Sequence, residues 1–499
     1  MLYCAGKGRC QVVQRRKVPR LMSNQPSQAS ARPVDLPPRV VQTLRAIVGP
    51  ENVLQDPEDL LAYEIDGTWV EREPQVVVLP QSAEEISAIL RLANAERIVV
   101  TPRGSASGLS GGALASSGGI ALSLTRMNRI LEIDIGNSVA VVQPGVITGD
   151  LQKAVEEVGL FYPPDPSSLS VSAIGGNVAE NAGGARCLKY GVTTDYVMAL
   201  QVVLPTGEII RTGGRMVKNV TGYNLRALFT GAEGTLGVVT EITLRLLPRP
   251  KHALTALAVF PRLDDAAEAV TQIMGSGLIP ASVELMDQTT VHCVEELLHI
   301  GLPLDAEALL LFAVDGNYEQ IVRAELESIA EVCRAKGAAE VRLARDADES
   351  SRLWKARRSV SPALARRRPN KLGEDVSVPR TAIPAMVRAV REIGARYQVM
   401  IPVFGHVGDG NLHPNILCDR RDAEEMQRVR LAAAEIFEAA IALGGTLSGE
   451  HGIGLLKKEF LERDLGTAQV EAMRRIKAAF DPLGILNPGK IFPTGQSDW

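Results

Sequence analysis

The sequence is poor in cysteine, carries little net charge and contains no long apolar run. Six cysteines occur among 499 residues without a CxxC pair, which argues against a disulfide framework, a cysteine zinc site or an internal iron–sulfur cluster. The formal charge of −4 provides no basic field to attract nucleic acid. No apolar run approaches the ~20 residues that cross a bilayer, and no secretory segment follows the first Met. We therefore expect a cytoplasmic protein of a reducing compartment, with no transmembrane segment.

The first 34 residues carry seven Lys or Arg residues and no acidic residue. This bias is typical of a basic organelle-targeting peptide. Because Met22 offers a second start, the favoured interpretation is a disordered basic tail over residues 1–34.

The chain is too long for one hydrophobic core, since single cores stop growing at ~250–300 residues. From Val40 onward, helical periodicity alternates with short β-branched runs, which indicates an α+β or α/β plan. Glycine density falls after Leu244–His252, so we place a boundary near Pro250. The expected organisation is a first domain over residues 35–250, a second over 251–425, and a segment over 426–499 that returns to the first.

Glycine is concentrated in the first domain, where residues 104–237 hold 22 of the 45 glycines. Backbone must approach a large ligand there. The sequence contains neither GxGxxG nor GxxxxGK[ST], so it offers no Rossmann or Walker phosphate loop. The stretch from Pro102 to Gly112 instead follows a predicted strand and strings small residues, whose successive N–H groups could bind a pyrophosphate. A simple small-residue turn is the alternative.

Further small-residue blocks follow this loop, at 142–145, 163–168, 172–184, 231–237 and 487–490. In this order they resemble the FAD-binding domain of the vanillyl-alcohol oxidase superfamily. The resemblance implies a two-subdomain FAD-binding domain plus an α/β cap domain with an antiparallel sheet, within the α+β class. It implies non-covalent FAD, because the loop has no His and Cys187 lies beyond the GG block. The FAD contacts it implies are Arg103, Gly104, Ser105, Ala106, Ser107, Gly108, Ser110, Pro144, Asp165, Ser168, Gly175, Gly176, Asn177, Asn181, Gly183, Gly184, Glu233, Gly237, Val239 and Asn487.

Three of the six histidines lie in two short segments, FGHVGDGNLHPN and LSGEHGIG. The Gly408–Asn411 stretch is a turn signal that predicts a hairpin in which His406 faces His413, with Cβ atoms ~4.5–5.5 Å apart. Two imidazoles at that separation can share a divalent metal, expected to be zinc, with Glu450 as third ligand. His451 is then available as a base. Hydrogen bonding within a glycine-rich junction is the alternative interpretation of these histidines.

These two segments also resemble the FAD-binding subunit of glycolate oxidase and the related D-lactate and D-2-hydroxyglutarate dehydrogenases. The resemblance implies that His406, His413 and Glu450 bind the metal, that His451 is the base and that Asn415 contacts substrate. A substrate carboxylate calls for a planar two-pronged donor. Arg357, three residues after Trp354, is the leading candidate, although a solvated basic face is the competing interpretation.

We therefore expect FAD-dependent oxidation of a small 2-hydroxy acid, glycolate or D-lactate, to the 2-oxo acid. An iron–sulfur subunit, a cytochrome or a quinone is expected to accept the electrons. Such a partner would associate the cytoplasmic chain with the inner membrane. D-2-hydroxyglutarate is an alternative substrate, but the spacing from Lys371 to Asp375 departs from those enzymes. A zinc hydrolase and a non-catalytic FAD-binding subunit are the two competing functions.

Overall fold

A computed structural model describes residues 36–494, which by their internal contacts belong to a single unit. The predicted disordered tail over residues 1–34 lies outside the described residues, as do Cys4 and Cys10. The remaining four cysteines are free thiols.

The glycine-rich part of the chain contains two larger sheets and a short strand pair. The first sheet has the order β1-β2-β4-β3; β2, β4 and β3 run parallel and β1 runs antiparallel to β2. The second is antiparallel, with the order β5-β6-β10-β8-β9, and β7 pairs with β11. The strands are β1 (Val53–Leu54), β2 (Val76–Val78), β3 (Val100–Arg103), β4 (Ile120–Ser123), β5 (Ile130–Asp134), β6 (Val139–Val142), β7 (Leu160–Phe161), β8 (Val197–Val203), β9 (Ile209–Gly213), β10 (Val238–Arg245) and β11 (Leu247–Pro248).

Helices pack on these sheets, and one of them begins at a clear capping signal. Ser82 caps the third helix by accepting a hydrogen bond from Glu85 N (3.2 Å), and that helix buries Ile86 and Leu90 in the core of the first sheet. The helices of this part are α1 (Pro38–Val48), α2 (Pro57–Leu60), α3 (Ala83–Glu96), α4 (Thr148–Glu156), α5 (Ile174–Glu180), α6 (Cys187–Tyr190) and α7 (Leu225–Phe229).

The cap is built on an eight-stranded antiparallel sheet of order β15-β12-β14-β13-β18-β19-β16, with β17 paired to β19. Both faces of the sheet are covered, which explains the continuous apolar run of the strand that begins at Ala308. Leu310 and Phe312 enter one core, whereas Leu309 and Leu311 enter another. The strands are β12 (His252–Phe260), β13 (Ser282–Asp287), β14 (Ala308–Gly316), β15 (Glu340–Leu343), β16 (Asn370–Gly373), β17 (Val376–Ser377), β18 (Val403–Gly405) and β19 (Asn411–Cys418).

The helices of the cap lie on these two faces, and the α+β class and antiparallel cap sheet predicted above are confirmed. Residues of the eighth, tenth, thirteenth and fourteenth helices line one core, and residues of the ninth, eleventh and twelfth line the other. The helices are α8 (Leu263–Gly275), α9 (Gln288–Leu298), α10 (Glu319–Ala335), α11 (Ala347–Arg358), α12 (Val360–Arg367), α13 (Ile383–Tyr397) and α14 (Ala423–Ala442), followed by α15 (Leu461–Leu465) and α16 (Thr467–Phe480).

The chain does not return to the first domain at residue 426 as predicted, because helix α14 packs on the cap. Its residues Val429, Ile436 and Phe437 are buried in the same core as the cap sheet. A short connection from β19 keeps the helix beside the sheet, where its apolar face is covered. The chain contacts the glycine-rich part later, where Leu455 N–H donates to Ser110 O (2.8 Å).

Candidate active site

A cavity of about 450 Å³ lies where the glycine-rich part meets the cap. That volume lies within the range of small-molecule and cofactor sites. Cap residues on its wall include Arg357, His413, Asn415, Glu450 and His451. The expected FAD contacts on the wall are Arg103, Gly104, Ser105, Ala106, Ser107, Gly108, Pro144, Ser168, Gly175, Gly176, Asn177, Gly183, Glu233, Gly237 and Val239.

The loop that follows β3 offers unused backbone donors to this cavity. Within residues 36–494, the N–H groups of residues 104–108 have no hydrogen-bond acceptor. Ala106 adopts a left-handed conformation (φ 54°), and a Cβ on Gly104 would lie 3.2 Å from Ala173 Cβ, so the backbone turns tightly there. Convergent free amides suit a diphosphate, and the loop fits the pyrophosphate of FAD.

Five expected FAD contacts do not line the cavity. The Asn487 amide donates to Gly112 O (3.0 Å) and Glu233 O (2.8 Å), which ties the end of the chain to the loop. Gly184 has φ 147°, and a Cβ there would lie 2.4 Å from Asp165 O. The five residues are Ser110, Asp165, Asn181, Gly184 and Asn487.

The guanidinium of Arg103 is occupied by the protein itself. It donates to Tyr63 O (2.7 Å) and Ile65 O (3.1 Å), and it lies over the Tyr63 ring. Burial lowers the pKa of Arg103, and the nearby carboxylate of Asp66 partly opposes this shift. Arg103 therefore fixes β3 to the segment at residues 63–65. Although Arg103 lines the cavity, its guanidinium is already engaged by these carbonyl groups and is not available to a phosphate.

The hairpin that carries the first histidine segment forms, but its predicted register is wrong. In the pairing of β18 with β19, Phe404 lies opposite His413 and Val403 lies opposite Pro414. His406 lies past the end of β18, where its carbonyl accepts N–H groups from Asp409 and Asn411. The turn is longer than a two-residue loop, because these contacts fold the backbone back on His406 before β19 begins.

The imidazoles of His406 and His413 nevertheless meet, with ring centroids 5.2 Å apart. Nε2 of His406 and Nε2 of His413 each lie 3.3 Å from Oε1 of Glu450. Both rings are buried. Three donor atoms of the kinds that bind zinc therefore converge from the cap hairpin and the loop after α14.

Each of these imidazoles has a buried carboxylate at its other nitrogen. Nδ1 of His406 lies 2.7 Å from Glu284 Oε1, and Nδ1 of His413 lies 3.7 Å from Asp375 Oδ1. A carboxylate on the Nδ1 side helps to orient each ring so that Nε2 faces Glu450. This arrangement of a second layer of carboxylates is typical of histidine metal ligands, so the donor set fits a divalent metal.

A second grouping of possible ligands overlaps this one. One ligand atom from each of Asp375, His413, Glu450 and His451 lies within 4.8 Å of the others. The two groupings share His413 and Glu450, and Oδ2 of Asp375 accepts hydrogen bonds from Glu450 N (2.9 Å) and His451 N (2.8 Å). Asp375 thus organises the loop that carries the ligand and the base.

His451 lies on the cavity wall beside this centre and stacks on His413, with ring centroids 5.2 Å apart and planes 13° apart. Its Nδ1 is buried, has no hydrogen-bond partner within residues 36–494 and lies 3.9 Å from Asp375 Oδ2. Burial lowers the pKa of His451 to about 4, although Asp375 opposes the shift. The ring is therefore neutral near pH 7 and able to accept a proton.

For the candidate metal ligands His406 and Glu450, the effect of burial on the pKa is outweighed by neighbouring charges together, in contrast to the pKa of His451. Burial disfavours charge on His406, but Glu284 and Glu450 outweigh burial and raise the pKa of His406 well above its ordinary value. Burial alone would raise the pKa of Glu450, yet the imidazoles of His406 and His413 bring it well below its ordinary value. The site therefore stabilises a carboxylate where a cation would bind.

Arg357 and Asn415 reach the cavity from the cap. Helix α11, capped by Asp346 through Glu349 N (2.8 Å), carries Arg357 to the wall, where its Nε lies 2.7 Å from Glu284 Oε2. One terminal nitrogen of Arg357, Nη2, is buried without a hydrogen-bond partner in the described range. Asn415 Nδ2 donates to His413 O (2.9 Å).

Sequence reasoning left out several residues that the structure places in or behind this site. Glu284 and Asp375 stand behind the histidines, and Glu180 lines the cavity from α5. Lys371, already noted in the sequence for its spacing to Asp375, lines the cavity 3.5 Å from Asn415 Oδ1. The available local signal for Glu284 is an acidic residue inside a largely apolar strand. His252, His292 and His299 lie outside the cavity lining.

Comparisons with known proteins identify the family of the chain. A family model described as "FAD linked oxidases, C-terminal domain" matches residues 249–491, and an "FAD binding domain" model matches residues 74–213. Glycolate oxidase subunit GlcD of Bacillus subtilis is 48% identical over 91% of this chain and 96% of its own length. The chain belongs to the FAD-linked oxidases. FAD is therefore the cofactor of this FAD-linked oxidase, and the family resemblance inferred from the motifs is confirmed.

Other relatives of this FAD-linked oxidase act on related compounds by name. D-lactate dehydrogenase of Anaerostipes hadrus is 39% identical over 84% of this chain and 89% of its own length. D-2-hydroxyglutarate dehydrogenase of Stutzerimonas stutzeri is 35% identical over 91% and 99%. Among solved structures, p-cresol methylhydroxylase aligns with a TM-score of 0.76 at 19% identity, covering 92% of this chain and 97% of its own. That likeness establishes the fold.

Every helix of this FAD-linked oxidase within residues 36–494 is too short or too polar to traverse a lipid bilayer.

Proposed function

We propose that the chain oxidises a small 2-hydroxy acid, glycolate or D-lactate, to the corresponding 2-oxo acid. The observation that carries this proposal is the convergence of His406 Nε2, His413 Nε2 and Glu450 Oε1 beside His451 on a cavity whose opposite wall is the glycine-rich loop. The names of the relatives support the substrate class. When bound, FAD supplies the acceptor for the hydride that leaves C2 of the acid.

His451 is the proposed base for the substrate hydroxyl. The carboxylate of Asp375 faces Nδ1 of His451, which favours a proton on Nδ1 and leaves Nε2 to accept one. Removal of the hydroxyl proton accompanies the loss of hydride from the adjacent carbon, so a neutral imidazole at that place assists oxidation. Asp375 also fixes the backbone of the loop through its bonds to the N–H groups of Glu450 and His451.

His406, His413 and Glu450 are proposed to hold a divalent metal, with zinc as the expected ion. A metal next to the hydroxyl oxygen would lower the pKa of the hydroxyl and reduce the demand on the base. Glu284 and Asp375 would orient the two imidazoles toward it.

Arg357 is the proposed partner of the substrate carboxylate, and Asn415 the proposed contact that orients the acid. The Nε edge of Arg357 is held by Glu284, so the buried and unpaired Nη2 remains to donate into the cavity. Phe404 lies under the guanidinium, 4.8 Å from ring centroid to Cζ, and supports its position by a cation–π contact. A fixed guanidinium orients a carboxylate more strictly than an ammonium group can.

Lys371 keeps D-2-hydroxyglutarate as the alternative substrate. Burial lowers the pKa of Lys371, and its Nζ lies 3.5 Å from Asn415 Oδ1 on the cavity wall. Its spacing to Asp375 still differs from that of the hydroxyglutarate enzymes. A monocarboxylic acid therefore remains the primary proposal, and the two classes separate in one substrate panel.

The electrons are proposed to leave toward a partner, since the sequence has no iron–sulfur ligand motif of its own. An iron–sulfur subunit, a cytochrome or a quinone would serve, and the "subunit" in the names of the GlcD relatives supports a partner protein. Such a partner would place the chain on the cytoplasmic side of the inner membrane.

Anaerobic bleaching of the flavin absorbance tests the proposed function. Purified protein is mixed with D- and L-2-hydroxy acids, including glycolate, both lactates and both 2-hydroxyglutarates. Bleaching by glycolate or D-lactate is expected. Colourless protein with hydrolytic activity would favour a zinc hydrolase, and yellow protein that no hydroxy acid bleaches would favour a non-catalytic FAD-binding subunit. His451→Ala with unchanged bleaching would remove the proposed base.

A further inference from the structure

Glu180, the last residue of α5, is a partly buried acid that the reaction proposed above does not use. Its side chain lines the cavity, and Oε2 is completely shielded from solvent. Among residues 36–494, neither carboxyl oxygen has a hydrogen-bond partner. A buried polar group without a partner is costly, so its persistence on a cavity wall points to a ligand that completes its hydrogen bonding.

Two glycines leave the space that the Glu180 carboxyl group occupies. Oε1 lies 2.8 Å from the place where a Cβ on Gly112 would stand, and Oε2 lies 2.2 Å from the corresponding place on Gly452. A larger residue at either position would require the Glu180 side chain to move. Glu180 is therefore seated between the far end of the phosphate loop and the residue that follows His451.

The adjacent acid, Glu233, has a different environment. It accepts N–H groups from Ile453 (2.8 Å) and Gly454 (2.7 Å), which stabilise its negative charge. Its Oε1 lies 3.0 Å from the same Cβ position on Gly452 that Glu180 approaches. Two carboxylates in so small a space repel each other, and the one without donors carries the proton more readily.

The other charges around Glu180 do not compensate it. Asp66 adds to the repulsion, and Lys457 and Lys490 oppose it. The ammonium group of Lys457 donates to Leu447 O (3.0 Å), and that of Lys490 donates to Leu114 O (2.5 Å), so backbone carbonyls engage both. Burial and the nearby carboxylate of Glu233 together raise the pKa of Glu180 well above its ordinary value.

Charge also indicates which part of FAD lies beside this acid. The pyrophosphate is anionic and matches the free amides of residues 104–108, whereas a wall with two acids disfavours a second anion. The uncharged isoalloxazine is the part of FAD that such a wall accommodates. Gly452 adjoins His451, so the acid also lies on the side of the cavity where the reacting ring must be.

We propose that Glu180 is a cofactor-contacting residue whose neutral carboxylic acid donates its O–H to an acceptor atom of the isoalloxazine ring. The inference rests on the proposed function, because it takes the ring to lie beside His451. The two-electron-reduced ring carries more negative charge than the oxidised ring, so a donor at its edge stabilises the reduced form and raises the reduction potential. The proton stays on Glu180; hydride still passes from C2 of the acid to FAD, and the hydroxyl proton to His451.

The test compares Glu180→Leu, which keeps the volume and removes the donor, with Glu180→Gln, which keeps a donor. The reduction potential of the bound FAD is measured in the holoprotein by anaerobic titration against reference dyes. Glu180→Leu is expected to lower the equilibrium constant for FAD reduction at least tenfold, which is about 30 mV for a two-electron couple. Glu180→Gln is expected to stay within about threefold of the unsubstituted protein. A role in packing alone would leave the potential unchanged in both.

Infrared spectroscopy supplies a second readout that needs no turnover. The carbonyl band of a protonated carboxylic acid should be present in the unsubstituted holoprotein, shift when FAD is reduced, and vanish in Glu180→Gln. Absence of that band, or an unchanged potential in Glu180→Leu, overturns the inference. If Glu180→Leu loses FAD, the inference is tested by the infrared band of the unsubstituted protein and by the reduction potential of Glu180→Gln. If a hydroxy acid bleaches the unsubstituted protein but the reduction potential of Glu180→Leu is unchanged, this inference is wrong and the proposed function is retained. If the unsubstituted protein binds no FAD, both the inference and the proposed function are wrong.

Discussion

Oε2 of Glu284 lies 2.7 Å from Nε of Arg357, and both side chains are buried at the edge of the cavity. The other oxygen of Glu284 lies 2.7 Å from Nδ1 of His406. Histidine and arginine together bring the pKa of Glu284 below its ordinary value, against the effect of burial. The carboxylate of Glu284 therefore positions both Arg357, the proposed partner of the substrate carboxylate, and His406, a proposed metal ligand. Substrate binding and metal binding are linked through this one side chain.

Replacement of Glu284 tests that link. Glu284→Gln removes the charge that orients His406 and pairs with Arg357, so metal affinity and kcat/KM are both expected to fall by about 10–100-fold. Elemental analysis of the purified protein and steady-state kinetics measure the two effects. Glu296→Gln is the control, because Glu296 forms an exposed pair with Arg367 (3.4 Å) and should change neither quantity. Full metal content in Glu284→Gln would contradict the positioning role.

Removal of the metal should separate the two halves of the site. A chelator, or His413→Ala, is expected to abolish metal binding and slow substrate-driven bleaching by at least about tenfold while FAD stays bound, because the loop at residues 104–108 lies on the opposite wall. Metal content, FAD content and the bleaching rate are measured on the same sample. His292→Ala is the control, since His292 is exposed and bonds Leu304 O (2.9 Å). Full activity of the metal-free protein would remove the metal from the proposal.

His451 should set the acid limb of the pH profile. Its pKa is lowered from 6.5 to about 4, so the ring stays neutral as the pH falls through 6.5 and becomes protonated only near 4. We therefore expect that protonation of His451 does not lower kcat/KM until the pH approaches 4. His451→Asn should lower kcat by about 10²–10⁴-fold without loss of FAD. An acid limb near 6.5 that disappears in His451→Asn would contradict the lowered pKa.

A side chain at Gly176 should compete with FAD for the cavity. A Cβ on Gly176 would meet no atom within 4 Å, although the residue lines the cavity, so the side chain would enter open space. Gly176→Leu is therefore expected to weaken FAD retention by at least about tenfold, or ~1.4 kcal/mol, with little change in the thermal stability of the apoprotein. Gly275→Leu, at the exposed end of α8, meets open space as well and should retain FAD. Equal FAD content in both variants would place the cofactor elsewhere.

The sequence predicted the fold class and the members of the site better than their mutual geometry. Glycine blocks marked the cavity wall, and two short segments supplied His413, Glu450 and His451 on its other side. The hairpin register was wrong, because the turn after His406 folds back through hydrogen bonds that no turn motif encodes. Whether these residues bind FAD, metal and substrate as proposed stays a prediction.

Local patterns suffice where a property belongs to a few consecutive residues: a loop of small residues exposes its amides wherever it lies, and clustered histidines remain clustered. Pairings between distant segments depend on how the sheets and helices pack. Glu284 lies 122 residues before His406, and the contact forms because β13 and β18 are neighbours in the cap sheet. The same packing placed α14 on the cap and left Glu180 facing the cavity without a partner, since burial and pairing arise from contacts that the folded chain alone brings together.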